Sequence, residues 1–174
     1  SEMCIRDRYF DDELLEIITK EEKICKYVDI PLQHISDSVL RRMHRRDSSQ
    51  SIKKLLKKLR NTTPYITIRT TLMVGFPGET EADFKELLTF IKAVKFDNMG
   101  AFTYSAQDGT PAARMVDQVT EEIKENRYHE LMAAQAEISE ENNRNLIGVD
   151  TEVLVEELLD DGCGNLQAKG CLLY

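Results

Sequence analysis

The chain has 174 residues, 41% of them hydrophobic, and a formal net charge of −8. That length and apolar content suit one globular domain, or one domain and the start of a second, and exclude an intrinsically disordered chain. No run approaches the ~18–20 consecutive apolar residues that span a bilayer, and the N-terminus lacks the basic-then-apolar order of a secretory signal, so a cytoplasmic location without a membrane partner is expected.

The charge is unevenly spread. Arg41, Arg42, Arg45, Arg46, Lys53, Lys54, Lys57, Lys58 and Arg60 lie close together, while Asp150, Glu152, Glu156, Glu157, Asp160 and Asp161 form an acidic stretch. An acidic total disfavours bulk binding to nucleic acid and suits a basic protein partner, and the lysine run reads as a solvated helix face. Of the four cysteines, Cys4, Cys25, Cys163 and Cys171, none is spaced as CxxC or CxxxCxxC, so the sequence offers neither a zinc site nor a complete iron-sulfur site. Cys25, between apolar neighbours, reads as a buried reduced thiol. Ser1 to Arg8 (SEMCIRDR) resembles a translated sequencing-adapter peptide, and residues 171–174 resemble the start of another. Both are set aside as foreign to the fold.

From Asp11 onward helix-like and strand-like segments alternate, the pattern of repeated βα units over a parallel sheet. Leu14, Ile17 and Ile18 share one helical face. Tyr27 to Leu32 (YVDIPL) reads as a strand that stops at its proline. A helix follows the cap candidates Asp47, Ser48 and Ser49, with Ile52, Leu55, Leu56 and Leu59 as its buried stripe and the lysines opposite, and Pro64 closes it. Ile66 to Val74 (ITIRTTLMV) is β-branched and nearly continuous in apolarity, as expected of a strand covered on both faces. Thr80 caps the next helix, whose apolar face is Phe84, Leu87, Leu88, Ile91 and Val94 and which ends near Lys95. Asn98 to Tyr104 is a third strand, and Asp108 to Pro111 a turn. Thr120 caps a long helix running to about Leu146, with Tyr128, Leu131, Met132, Gln135 and Ile138 on one side and Gly148 beyond its end. Thr151 to Leu158 begins a β segment of acidic composition, which places a domain boundary before it.

Three segments carry candidate chemistry. Gly75-Phe76-Pro77-Gly78-Glu79 joins a strand to a capped helix; its glycines allow close backbone approach by a ligand, and amides at the helix start can face an anionic group, although a purely structural turn reads the same way. Gln33 and His34 stand at the carboxyl end of a strand, the edge where parallel α/β folds build sites, although a lone histidine is more often a satisfied structural residue than a catalyst. Arg69 interrupts an apolar strand on the face of Thr67, Thr71 and Met73, and a guanidinium buried there needs an anionic partner, either a ligand carboxylate or a structural Asp or Glu.

In order along the chain, Tyr27 to His34 (YVDIPLQH), Arg69 to Thr80 (RTTLMVGFPGET), Phe102 to Ser105 (FTYS), Gly109 to Ala113 (GTPAA) and the long helix ending in Ile147-Gly148 resemble one family, the radical-SAM methylthiotransferases. His34 and Arg69 favour its RimO-type branch, which modifies an aspartate of ribosomal protein S twelve, over the MiaB-type branch, which modifies an adenosine of transfer RNA. The resemblance implies an α/β fold, the C-terminal half of a radical-SAM partial (β/α) barrel. Residues 9–148 would be its last three βα units and C-terminal helix, and residues 149–170 the incomplete beginning of a small all-β TRAM domain.

It also implies S-adenosyl-L-methionine and two four-iron four-sulfur clusters in the parent enzyme. Gln33, Gly75, Phe76, Pro77, Gly78 and Glu79 would bind cofactor, and His34, Arg69 and Tyr104 would bind substrate. Neither set of cluster cysteines is present, so no catalytic residue or metal ligand is expected in this chain, which alone should be inactive. The implied partners are ribosomal protein S twelve and an electron donor such as flavodoxin or ferredoxin, with transfer RNA only for the MiaB-type alternative. An alternative of another class is a non-catalytic module that binds protein or RNA.

Overall fold

The computed structural model describes residues 12–63, 65–150, 153–160 and 166–172. A short helix α1 (Asp12–Lys20) precedes strand β1 (Tyr27–Gln33), followed by α2 (Asp37–Arg42), α3 (Ser49–Thr62), β2 (Thr67–Val74), α4 (Glu81–Val94), β3 (Asn98–Thr103), a 3-10 turn (Ala112–Arg114) and α5 (Glu121–Asn145). Strands β4 (Val153–Asp160) and β5 (Leu166–Leu172) form a separate antiparallel hairpin.

The three strands β1, β2 and β3 lie side by side in chain order and pair in parallel. Parallel neighbours need a crossover, and α2 with α3, then α4, supply them. Local chemistry fixes the starts of α3 and α4. Ser48 accepts from the Ser51 amide and Ser51 returns the bond, a capping box; Thr80 and Asp83 do the same for α4. Lys95 ends α4 in a left-handed conformation.

One hydrophobic core unites these elements. Val28, Ile30 and Leu32 of β1, Ile68, Leu72 and Val74 of β2 and Met99 of β3 meet Ile52, Leu56 and Leu59 of α3, Phe84, Leu87 and Ile91 of α4, and Leu131 and Ile138 of α5. All of these helices therefore cover one face of the sheet. The opposite face is open: Asp29, Arg69 and Asn98 form a register row across the three strands, and all three are exposed.

Several expectations are corrected here. β2 is covered on one face along most of its length, not on two, because Thr67, Arg69 and Thr71 alternate with buried Ile68, Thr70 and Leu72, and only at its end does Met73 pack against the small cluster of Val39, Phe76 and Tyr104. Arg69 is accordingly not buried. In α1 the buried residues are Leu15 and Ile18, whereas Ile17 is exposed. Cys25 is exposed rather than buried, since its segment is a surface turn ahead of β1. β1 does not stop at Pro31 but runs to Gln33 through an irregularity in its pairing, a position where a missing N–H is tolerated.

The lysine face of α3 is solvated as expected, with Lys53, Lys54, Lys57 and Lys58 exposed. The β segment expected at 151–158 is β4, and its partner β5 continues through Cys171 and Leu172. Residues 1–8, Pro64 and Cys163 lie outside the described residues. Among the described residues no helix is long and apolar enough to cross a membrane.

Candidate functional site

At the carboxyl end of β1 the pairing slips between Ile30 and Gln33, and Gln33 adopts a left-handed conformation (φ 68). Such a backbone is uncommon outside glycine and turns the chain sharply off the sheet. His34, next in line, has no exposed surface. Its Nδ1 accepts from the Ser36 amide at 2.9 Å, so the neutral ring carries its proton on Nε2. That atom has no hydrogen-bond partner and lies 3.8 Å from Glu79 Oε2. Burial drives the His34 pKa down to about 4, with the nearby Asp83 opposing and Arg127 reinforcing the shift.

The turn after β2 closes on itself. Glu79, 5% exposed, accepts from the Gly75 amide at 2.7 Å and the Phe76 amide at 3.3 Å through Oε2. Through Oε1 it receives Arg127 Nη1 at 2.9 Å. Burial pushes the Glu79 carboxyl above its ordinary range, against the pull of Arg127 and of the two amides. The remaining amides are also engaged: Gly78 donates to the Asp117 carbonyl at 2.7 Å, Glu79 to Phe76 at 2.9 Å, and Thr80 to Asp83 at 2.9 Å. The amides of Gly75, Phe76, Gly78, Glu79 and Thr80 are thus satisfied within the chain.

Gly75 (φ +74) and Gly78 (φ +81) both occupy left-handed space. A Cβ on Gly75 would overlap the stem of Lys124, and one on Gly78 the guanidinium of Arg42. Asp83, below the turn, is desolvated, yet the hydroxyls of Ser36, Ser38 and Thr80 and the Thr80 amide outweigh burial and hold its carboxyl well below the ordinary range.

Tyr104 follows β3 and hydrogen-bonds through its amide to the Val74 carbonyl at 2.9 Å. Its ring meets Phe76 edge-on with centroids 5.2 Å apart, and Lys124 Nζ stands 5.4 Å from the ring centroid. The Tyr104 hydroxyl is buried without a partner. Phe76, Tyr104 and Val39 form a second small cluster, bordered by Met43, Met73, Ala112 and Met115. Beside it opens a cleft of about 290 Å³ lined by Gln33, Arg42, Met43, Met73, Phe76 and Met115 among others. A larger groove of about 600 Å³ lies between α3 and α4, lined by Leu56, Phe90 and Val94 with lysines at its rim, and involves none of the strand ends.

Gln33, His34, Gly75 to Glu79 and Tyr104 therefore converge at one edge of the sheet. Arg69 does not join them: it sits mid-strand on the open face, its side chain half exposed, with Nη1 3.4 Å from Asp29 Oδ2. The partner foreseen as a ligand carboxylate or a structural acid is, within this chain, the cross-strand Asp29. Lys124 and Arg127 were not anticipated. Both are buried on α5, and the stripe Leu131, Gln135 and Ile138, continued one and two turns toward the N-terminus, lands on them.

A parallel sheet with its site at the carboxyl ends is common to many folds, and sequence comparison decides among them. The model of the Radical SAM superfamily matches residues 2–91. The chain belongs to the radical SAM superfamily. Among curated relatives of this radical SAM chain, a protein of Geotalea uraniireducens named ribosomal protein uS12 methylthiotransferase RimO is 50% identical over 163 residues, covering 90% of this chain and 36% of that protein. One of the same name from Desulforudis audaxviator is 54% identical over 144 residues, covering 83% of this chain and 32% of that protein. The radical SAM chain thus spans about a third of the length of the relatives it matches. Its fold resembles the solved structure of coproporphyrinogen III oxidase (HemN) from Escherichia coli, a radical SAM enzyme, with a TM-score of 0.62 at 19% identity over 75% of this chain and 30% of that one. At that identity the likeness concerns the fold alone, and it agrees with a partial barrel.

Proposed function

We propose that this chain is the carboxyl-terminal part of a radical-SAM methylthiotransferase that adds a methylthio group to the β-carbon of an aspartate in ribosomal protein uS12. The observation that carries the reading is identity near one half with uS12 methylthiotransferases across 90% of the chain. The β4–β5 hairpin is read as the first strands of a TRAM domain.

The residues at the carboxyl edge suit S-adenosylmethionine in kind. Phe76, Met43, Met73 and Met115 give the cleft apolar, polarizable walls suited to an adenine and a sulfonium methyl group. Gln33 and Arg42 supply an amide and a guanidinium for its amino-acid end. When bound, this cofactor supplies a radical that takes hydrogen from an unactivated carbon. Phe76 and the methionines exclude water from that space, and the Gly75–Gly78 turn, held by Glu79, presents its edge to it. Among the described residues no group of three His, Cys, Asp or Glu side chains is assembled as a metal site. We assign the iron-sulfur clusters to the rest of the parent protein, together with the docking of an electron donor.

Arg69 is read as a substrate contact on the open face of the sheet. Its bond to Asp29 is long and leaves most of the guanidinium's donors for a carboxylate of the substrate. The test is a segment exchange in which this chain replaces the matching 163 residues of the Geotalea uraniireducens protein. After anaerobic reconstitution, mass spectrometry should find one methylthio group in place of hydrogen on a uS12 aspartate and none on transfer-RNA adenosine. The reverse pattern would replace this reading with the transfer-RNA branch.

A further inference from the structure

The turn proposed to border the S-adenosylmethionine site folds around one buried carboxylate. Glu79 gathers the Gly75 and Phe76 amides on Oε2 and an arginine on Oε1, all out of solvent. That arginine, Arg127, comes from α5, 48 residues further along the chain, and the same Nη1 also donates to the Glu79 carbonyl at 3.2 Å. One guanidinium nitrogen thus grips both the main chain and the side chain of the residue that folds the turn. Nη2 lies 3.6 Å from Glu81, and the guanidinium carbon lies 5.5 Å from the Phe84 ring centroid, so the group is fixed from three sides.

We propose that Arg127 is a positioning residue for this site: by holding Glu79 as a carboxylate it keeps the Gly75–Gly78 turn folded against α5 and aimed at the cleft. The proposal rests on the cofactor reading given above. Its physical basis is a count of donors and acceptors. An ionised carboxylate accepts from two amides and a guanidinium at once, whereas a protonated one must spend an oxygen as donor and cannot serve all three. Burial already favours the protonated form.

The other groups facing Glu79 do not replace the arginine. His34, at the end of β1, is neutral and 3.8 Å away. Glu81 and Asp83 of α4 are acids and offer no positive charge to a carboxylate, and Asp83 is already held by Ser36, Ser38 and Thr80. Lys124, whose stem packs on Gly75, directs its ammonium to Glu121 at 2.6 Å.

The experiment uses the 174-residue chain, labelled for NMR, with S-adenosylmethionine as the probe. In the wild type, the Gly75 and Phe76 amide shifts should be flat across the neutral pH range. In Arg127→Met they should move together with the Glu79 carboxyl signal. Affinity for the probe should fall about tenfold on the acid side of that transition, as expected if about a tenth of the molecules retain the competent turn. Arg127→Lys keeps the charge and should keep the shifts flat.

In the double variant Arg127→Met/Glu79→Gln the buried charge is gone, and amide shifts and affinity should again be independent of pH. This variant also carries the test if Arg127→Met alone does not fold. Flat shifts with wild-type affinity in Arg127→Met would overturn the proposal, as would a loss of affinity independent of pH and not restored by Glu79→Gln. If the wild-type chain binds no probe while Gly75 in Arg127→Met still titrates with Glu79, the cofactor reading fails and the role of Arg127 in folding the turn stands.

Discussion

His34, at the carboxyl end of β1, has no exposed surface; its ring serves the Ser36 amide and faces Glu79. Burial has a consequence in acid. An unfolded His34 gains its proton near 6.5, whereas the folded one resists until about 4. Between those values the unfolded state binds more protons, so stability falls as pH drops through that window. Glu79 acts in the opposite sense: its raised pKa makes the folded state the stronger proton binder above 4.5, which partly offsets the loss. His34→Asn keeps an acceptor for Ser36 and removes the titration. Its melting temperature should therefore fall less than that of the wild type between pH 6.5 and 4. Equal losses in both proteins would show that His34 is not the group responsible. Arg69 differs in that its pairing with Asp29 is half exposed and worth at most ~1 kcal/mol. Arg69→Lys should leave stability within ~0.5 kcal/mol of wild type. In the segment-exchanged enzyme it should lose methylthiolation while still cleaving S-adenosylmethionine. Loss of both activities together would place Arg69 on the cofactor instead.

Among the elements, the turn between β2 and α4 concentrates the constraint. An L-residue in left-handed space costs ~1–2 kcal/mol at either Gly75 or Gly78, but the two differ in what a methyl group would meet. At Gly78 it meets the guanidinium of Arg42, which is 43% exposed and can swing away. At Gly75 it meets the stem of Lys124, which is 4% exposed and packed. Gly78→Ala should cost ~1 kcal/mol and Gly75→Ala at least ~2 kcal/mol in chemical denaturation. Lys124→Ala should recover part of the Gly75→Ala loss, because neighbours in contact are not additive. Equal costs at the two glycines would contradict the packing of Lys124. The elements themselves were largely legible: caps at Ser48, Thr80 and Thr120 and the stripes of α3 and α4 fall where the sequence put them. What escaped was polar. The stripe of α5 ends in Lys124 and Arg127, and periodicity in apolar residues is blind to cations buried by pairing. Likewise, the run ITIRTTLMV leaves its second face ambiguous despite Arg69, since threonine and methionine suit either side of a sheet.

On the scale of the molecule, a three-stranded parallel sheet with α3, α4 and α5 on one face leaves its carboxyl edge and its open face as the surfaces free for chemistry. Gln33, Tyr104 and the Gly75–Glu79 turn reach that edge from three different strand ends, so a parallel arrangement alone brings them together. That much of the site follows from the order of motifs in the sequence. The clamp from α5 does not, because it depends on a helix returning under the turn. The direct measurement is hydrogen exchange by mass spectrometry on the segment-exchanged enzyme, with and without S-adenosylmethionine. Protection confined to peptides holding Gln33, Phe76 to Gly78 and Tyr104 is the predicted result. Protection centred on the groove between α3 and α4, or none anywhere in this segment, would contradict the placement of the site at the carboxyl edge.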